Sequence, residues 1–349
     1  MNAAVHVAGE IAESLSRRKI AVLGAGNMGT ALAHSLAGNG HEVALWDHFP
    51  AVVEDIRRHR MNRRFLPEIA LHAGIRPCVS AVECVAGASL VVVSVPSAFV
   101  GSTLLPLVSV LARDAVLLNV AKGFAPASCE LIPDFLGRLA PDHSCVQLAG
   151  PAIANEMARG VPAYITLAAD DQRTAIQVAE WFSGPSFVAT TTDDMAGAAL
   201  GGILKNVYAI LLGSLESLSG DARNLEAAAV TACLGEMVKI AGACGGRAET
   251  IYGLAGLGDL VATGFSRDSH NRKFGQMLAS GKTAREIESE TGWLPEGARA
   301  AAAVCKLAGD KRVTAPLAEW VVQVLDGVTP SLENLALTLR ATQISEIRR

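Results

Sequence analysis

Several features that would place this chain in a specialised class of protein are missing from its sequence. Its seven cysteines include no CxxC pair, and no HxxxH or Cys/His cluster has the spacing of metal ligands. We therefore expect unpaired thiols in a reducing cytoplasm, and no bound metal ion. No GxSxG elbow or Ser/His/Asp arrangement stands out either, so no nucleophilic serine site is predicted.

The chain also carries little net charge and has no long apolar run. The formal net charge of -4 gives no reason to expect binding to nucleic acid or to an acidic membrane surface, although a small anionic substrate would need only a local basic pocket. The most apolar stretches, such as residues 90–95 and 115–121, have the length of strands. The first eighteen residues carry charges and no continuous apolar core. We predict no membrane span and no secretory signal, and interpret residues 1–18 as an N-terminal extension.

The length and composition favour an α/β protein of two domains. The chain has 349 residues, of which 50% are hydrophobic and 18% charged. From residue 19 to residue 149, short β-branched runs alternate with longer amphipathic ones, which is typical of a parallel sheet covered by helices. A further pair of strands flanks a helix at residues 172–183. The predicted strands are Lys19–Leu23, Glu42–Trp46, 90–95, 115–121, 144–149, Ala163–Ala168 and 186–191.

After Asp194 the strand pattern fades, and the remainder is predicted to be helical. Thr283 and Glu286 form a capping box at the start of one of these helices. The expected domains are therefore residues 19–193 and residues 194–349.

The first predicted strand runs into the glycine-rich turn Gly24-Ala-Gly-Asn-Met-Gly29. Gly24 permits a tight turn, Gly26 lets the backbone approach a pyrophosphate, and Gly29 allows close packing of the following helix. Asp47 follows the second strand, where a carboxylate holds ribose hydroxyls and repels a 2′-phosphate. His48 and the pair of arginines at 57–58 could instead lie near a 2′-phosphate, although a solvated helix face accounts better for the arginines. The sequence therefore predicts NAD or NADP.

Lys205 is the only charged residue between Asp194 and Glu216. A buried ammonium is costly unless it is paired or used, so Lys205 is either a proton donor or one half of a structural ion pair with Asp259. Lys122 follows a strand and is a candidate for anion contact or a plain loop lysine. The polar run from Ser269 to Gly275 suits a phosphate or a solvated helix face.

In combination these segments resemble the NAD(P)-dependent glycerol-3-phosphate dehydrogenases, from about residue 19 to residue 340. The resemblance implies a Rossmann-type doubly wound sheet followed by an all-helical substrate domain, with reversible reduction of dihydroxyacetone phosphate to sn-glycerol 3-phosphate for phospholipid synthesis. It also implies a homodimer. The segments are residues 24–29 with Trp46, 121–123, 150–156, 201–206, 255–259, 269–275 and 295–297.

The resemblance further implies roles for individual residues. Lys205 matches the catalytic lysine, Asp259 a substrate-contacting position and Asn206 a position that orients the substrate. As a mechanistic hypothesis, we expect Asp259 and Asn206 to hold the ammonium of Lys205 in place. The expected substrate contacts are Lys122, Gly150, Ala152, Thr263, Ser269, His270 and Asn271. The expected cofactor contacts are Gly24, Gly26, Asn27, Met28, Gly29, Trp46, Asp47, His48, Lys122, Ala154, His270 and Glu296.

The chain departs from the family pattern at three positions. The family usually has Ser, Thr or Asn where this chain has Ala152, often a basic residue where it has Asn155, and arginine where it has His270. A neutral histidine lacks the fixed bidentate donor of arginine, so we expect Arg267 or Arg272 to compensate. The alternatives are a dehydrogenase for another small phosphorylated or acidic hydroxy compound, and a nucleotide-binding protein without catalysis.

Overall fold

The computed structural model describes residues 17–126, 129–220 and 222–347. Nearly all of the predicted N-terminal extension lies outside these residues. The described chain forms two compact units. The first contains residues 17–121, 132–148 and 152–195, and the second contains residues 122–126, 129–131, 149–151, 196–220 and 222–347.

The first unit is built on an eight-stranded sheet in the order β3-β2-β1-β4-β5-β6-β7-β8. The chain runs outward from β1 to β3 and then returns to β4, so the strand order reverses between β1 and β4, where open α/β sheets bind ligands. Strands β1, β4 and β5 are apolar and almost wholly buried, as expected of strands covered on both faces. The strands are Lys19–Leu23 (β1), Glu42–Trp46 (β2), Ile75–Cys78 (β3), Leu90–Val93 (β4), Val116–Asn119 (β5), Cys145–Ala149 (β6), Ala163–Ala168 (β7) and Phe187–Thr192 (β8).

All seven predicted strands are present, but β3 was missed. Pro77 lies inside this four-residue strand, and proline is tolerated there because β3 is the edge of the sheet. The α-helices of this unit are Asn27–Gly38 (α1), Pro50–His59 (α2), Ala81–Val85 (α3), Val100–Leu104 (α4), Ile132–Leu139 (α5), Ala154–Ala158 (α6) and Gln172–Phe182 (α7).

Among the described residues from 196 onward, every regular element of the second unit is a helix. Its helices are Met195–Ser219 (α8), Arg223–Ala243 (α9), Ala248–Tyr252 (α10), Asp259–Phe265 (α11), His270–Ala279 (α12), Ala284–Thr291 (α13), Glu296–Asp310 (α14), Pro316–Leu325 (α15) and Leu332–Ile347 (α16). The predicted capping box of Thr283 and Glu286 is confirmed at the start of α13.

Helix α8 is the apolar centre of the second unit. Its side chains form one core with those of the surrounding helices, and Tyr208 and Leu211 are fully buried in it. The helix is long and apolar enough to cross a membrane, but 94% of its most apolar window is buried inside the protein. That degree of burial is typical of the core helix of a folded domain.

Candidate active site

The glycine turn after β1 is shaped by close backbone contacts at the reversal point of the sheet. Gly24 has a φ of +104°, and a Cβ added there would lie 2.6 Å from the carbonyl oxygen of Ser94, just beyond β4. A Cβ on Gly29 would lie 1.9 Å from the Gly24 oxygen. Only glycine fits at these two positions, as the sequence predicts.

Gly26 differs from its neighbours because the space beside it is open. A Cβ added to Gly26 would meet nothing within 4 Å, and Gly26 caps α1 without any side-chain hydrogen bond. The first amide groups of a helix carry a partial positive charge and bind phosphate when no side chain caps them. The turn therefore fits the pyrophosphate of a dinucleotide, and Asn27 and Met28 supply the first residues of the helix.

Side chains from three other segments hold this turn in place. The Ala25 amide donates to Asp47 Oδ2 at 2.7 Å, and the Ala25 carbonyl accepts from Asn62 Nδ2 at 2.8 Å and from Thr30 Oγ1 at 3.0 Å. Asn62 is fully buried and also donates to Thr30. Asn62 was not predicted, because nothing in its local pattern distinguishes a buried asparagine from one in a surface loop.

The remaining predicted cofactor residues of the first unit lie near the ends of β2 and α6. Trp46 ends β2 and donates from Nε1 to the Val79 carbonyl at 3.2 Å, while His48 is exposed. Ala154 begins α6, which packs against α1. Phe99 follows β4 at the carboxyl ends of the strands and is 58% exposed.

Two glycines allow the Lys205 segment of α8 to be packed closely. A Cβ on Gly201 would lie 2.4 Å from the Ala255 carbonyl oxygen, and a Cβ on Gly202 would touch the aliphatic stem of Lys122 at 3.4 Å. The Ala255 backbone belongs to a π-helical turn, Leu254–Gly258, that leads directly into Asp259. Such turns often occur at functional sites.

Lys205 is buried and bonded at the centre of the second unit. Its Nζ donates to Asp259 Oδ1 at 2.9 Å and to Thr263 Oγ1 at 2.5 Å. Lys122 Nζ lies 2.5 Å from the other oxygen, Asp259 Oδ2. One carboxylate therefore joins two ammonium groups, and Asp259 is the counter-ion that the sequence suggested.

This arrangement shifts the pKa values of its members. Burial, followed by the charge of Lys122, lowers the pKa of Lys205 to about 8, even though Asp259 opposes the shift. Burial alone would raise the pKa of Asp259, but the two ammonium groups hold it below its usual value. Lys205 is therefore an amine that can gain or lose a proton near neutral pH, beside a carboxylate that stays ionised.

Asn206 does not hold the ammonium as expected. Its Oδ1 accepts from Asn271 Nδ2 at 3.0 Å, and Asn271 Oδ1 accepts from the backbone amide of Gly297 at 2.9 Å. The Gly297 amide can only donate, so it fixes which atom of each side chain is the oxygen. In the described part of the chain no acceptor is paired with Asn206 Nδ2, which leaves that group to donate to a ligand.

The start of α12 carries the polar groups predicted for a phosphate. Ser269 is the N-cap and accepts from the Arg272 amide at 3.2 Å, and His270 packs edge-on against Trp293 with ring centroids 4.6 Å apart. Partial burial, followed by Lys273, lowers the pKa of His270, so its ring is neutral at neutral pH. Arg272 pairs with Glu216, whereas Arg267 is exposed.

Three other predicted residues lie in turns or at the start of a helix. Gly150 has a φ of +98°, which turns the chain after β6, and Ala152 follows in the loop before α6. Helix α6 begins at Ala154, with Ile153 as its N-cap. Glu296 is the first residue of α14, beside Gly297.

Models of two protein-family domains match most of the chain. Residues 19–175 match the N-terminal domain of NAD-dependent glycerol-3-phosphate dehydrogenase, and residues 194–334 match its C-terminal domain. The chain belongs to the NAD-dependent glycerol-3-phosphate dehydrogenase family.

Named relatives of this dehydrogenase family cover nearly the whole chain. The glycerol-3-phosphate dehydrogenase [NAD(P)+] of Rhizobium etli is 38% identical over 88% of this chain and 93% of its own length. The corresponding protein of Moorella thermoacetica is 36% identical over 95% of this chain and 98% of its own length. These dehydrogenases lend no support to the alternatives of another substrate or of lost catalysis.

A solved structure agrees with the predicted fold class. The glycerol-3-phosphate dehydrogenase of Coxiella burnetii is 28% identical to this chain and superposes with a TM-score of 0.86, covering 93% of this chain and 98% of its own. The prediction of a doubly wound sheet followed by a helical domain is therefore confirmed.

Proposed function

We propose that this chain catalyses the reversible, NAD(P)-dependent reduction of dihydroxyacetone phosphate to sn-glycerol 3-phosphate, in the cytoplasm, where the product serves as a backbone for phospholipids. The observation that carries the proposal is the buried Lys205 ammonium, bonded to Asp259 and Thr263 and shifted to a pKa of about 8. A group that titrates near the working pH is best suited to both directions of a reversible proton transfer.

Lys205 moves the proton in this mechanism. The bound cofactor supplies or accepts the hydride. In the direction of reduction, the Lys205 ammonium donates a proton to the ketone oxygen as negative charge develops there. In the direction of oxidation, the neutral amine removes the proton from the hydroxyl group. Asp259 and Thr263 fix the position of the nitrogen in both protonation states.

Lys122 adds positive charge to the same site. It shares Asp259 with Lys205 and remains slightly exposed, with 15% of its side chain accessible. Its charge favours loss of a proton from Lys205 and also stabilises an oxyanion on the substrate. Asn206 Nδ2 would donate a further hydrogen bond that orients the substrate.

The start of α12 is the proposed phosphate subsite. Ser269, His270 and the first amides of a ten-residue helix lie together there, and of these amides Ser269 caps that of Arg272. The neutral His270 donates at most one hydrogen bond to a phosphate, whereas arginine would donate two and carry a full charge. This subsite therefore relies more on the helix N-terminus and on nearby cations than a subsite with arginine would.

The test compares Lys205→Ala, Lys205→Arg and the wild-type protein in an assay with dihydroxyacetone phosphate and reduced cofactor. Lys205→Ala should lower kcat by about 10²- to 10⁴-fold, because the proton donor is gone. Lys205→Arg should be nearly as slow, because a guanidinium keeps the charge but does not give up its proton. Binding of reduced cofactor should change little in either variant.

Lys306→Ala is the matched control, because it removes the same charge from an exposed lysine of α14. The wild-type pH profile supplies the second readout. Reduction needs protonated Lys205, so its kcat should fall as the pH rises through about 8, while the kcat of oxidation should rise over the same range. Near-normal turnover by Lys205→Ala, or pH profiles that move in the same direction, would contradict the proposal.

A further inference from the structure

The carboxylate of Asp47 is fixed in place at the end of β2. Asp47 Oδ2 accepts from the Ala25 amide at 2.7 Å, and Asp47 Oδ1 accepts from the Phe49 amide at 2.9 Å. Both donors are backbone groups, and Ala25 lies within the glycine turn itself. The negative charge is therefore held at the turn that fits the pyrophosphate.

Both oxygens of Asp47 keep capacity for a ligand. Each carboxylate oxygen has two acceptor sites, and one of each pair is used by a backbone amide. The two remaining sites match the two hydroxyl groups of an adenosine ribose, which are both donors. A 2′-phosphate removes one of these hydroxyls and brings its own negative charge next to the carboxylate, so it loses a hydrogen bond and is repelled.

The arginines that follow β2 are already engaged by other groups. Arg57 and Arg58 both pair with Glu54, and Arg63 donates from Nε to Asp55 Oδ1 at 2.7 Å. Each of these ion pairs lies within the segment of α2 and the residues just after it.

The other two arginines of this segment also have partners. Arg60 donates from Nη1 to the Ile75 carbonyl at 2.9 Å and also bonds the His72 carbonyl. Arg64 lies over the rings of Phe49 and Phe65, at 5.8 and 5.2 Å from their centroids. A 2′-phosphate would have to share one of these arginines with its present partner, whereas the ribose hydroxyls need no cation.

We infer that Asp47 makes this protein selective for NAD(H) over NADP(H). The inference rests on the proposed function and adds the choice of coenzyme to it. This selectivity should appear in the equilibrium binding of the reduced coenzymes alone, so it can be measured without turnover.

The experiment measures the dissociation constants of NADH and NADPH by isothermal titration calorimetry, without substrate. The wild-type protein should bind NADH at least about tenfold more tightly than NADPH. In Asp47→Asn the negative charge is lost, so NADPH should bind more tightly and NADH more weakly than in the wild type. Asp114→Asn is the matched control, because it removes one exposed charge just before β5, at the amino ends of the parallel strands and away from Asp47, and should leave the ratio unchanged.

A salt series on the wild-type protein tests the same repulsion without a variant. Raising the salt concentration from about 0.01 to about 1 M shortens the Debye length from about 30 to about 3 Å. The Kd of NADPH divided by that of NADH should then decrease, whereas a cationic 2′-phosphate site would make it increase.

The outcomes separate the inference from the proposed function. Equal binding of the two coenzymes, a ratio unaffected by Asp47→Asn in a folded variant, or a ratio that rises with salt would overturn the role of Asp47. Selective binding of NADH without any oxidation by dihydroxyacetone phosphate would support the role of Asp47 and contradict the proposed function instead.

Discussion

His270 begins the helix that carries the proposed phosphate subsite, where the family resemblance leads us to expect arginine. Its ring packs against Trp293, and partial burial lowers its pKa. The ring therefore brings neither a charge nor a second donor to a phosphate at neutral pH. Substrate affinity should be limited by this one residue more than by any of the groups around Lys205.

We expect His270→Arg to lower the KM for dihydroxyacetone phosphate by about tenfold or more, because a charge-assisted hydrogen bond contributes roughly 1.5–3 kcal/mol. The kcat should change little, since His270 is not bonded to Lys205 or Asp259. Steady-state kinetics at pH 7 measure both constants. His59→Arg, which adds the same charge on the exposed face of α2, should leave the KM unchanged. An unaltered KM in His270→Arg would place the phosphate elsewhere.

At this scale the sequence predicts the unusual residues better than their partners. A single lysine within an apolar helix is visible in the sequence, and Asp259 stands out for the same reason. Thr263, which was expected near the substrate, accepts from the Lys205 ammonium, and Asn206 bonds Asn271 and not Lys205. Those pairings depend on how separate helices cross, and local spacing carries no information about such crossings.

At the scale of elements, the catalytic groups are held in position by glycines that pack closely against the backbone of neighbouring helices. Besides Gly201 against Ala255, a Cβ on Gly275 would lie 2.0 Å from the Ile210 oxygen, and a Cβ on Gly297 would lie 2.2 Å from the Asn206 oxygen. Helices α12 and α14 and the π-helical turn therefore all touch α8 through glycine. The glycines and the helices can be recognised in the sequence, but the backbone segment that each glycine contacts cannot be predicted from it.

Gly201→Ala tests this packing. The added methyl group would overlap the Ala255 carbonyl, so the free energy of unfolding should fall by about 1–3 kcal/mol. Because the π-helical turn leads into Asp259, kcat should fall more than KM rises. Gly242→Ala is the control: it lies inside α9 with nothing within 4 Å of its Cβ, and alanine should stabilise the helix by up to about 1 kcal/mol. Urea unfolding measures both changes, and equal stabilities of the two variants would exclude the close contact.

At the scale of the whole molecule, the two units carry different parts of the proposed chemistry. The glycine turn and Asp47 belong to the first unit, whereas Lys205 and the start of α12 belong to the second. The alternation of strands and helices predicted the sheet because its period is local. It did not predict that residues 122–126 and 149–151 join the second unit, because that membership depends on contacts between segments distant in sequence.

This division predicts where each ligand slows hydrogen exchange of the backbone. NADH should protect residues 24–30, because the open helix start at Gly26 would be covered by the pyrophosphate. Adding sn-glycerol 3-phosphate to the NADH complex should further protect residues 266–275. NADH and sn-glycerol 3-phosphate are both reduced, so they cannot react with each other and no turnover occurs during the measurement. Exchange within α9, which carries none of the proposed contacts, serves as the internal control. The division of roles would be wrong if sn-glycerol 3-phosphate added protection at residues 24–30 and none at residues 266–275.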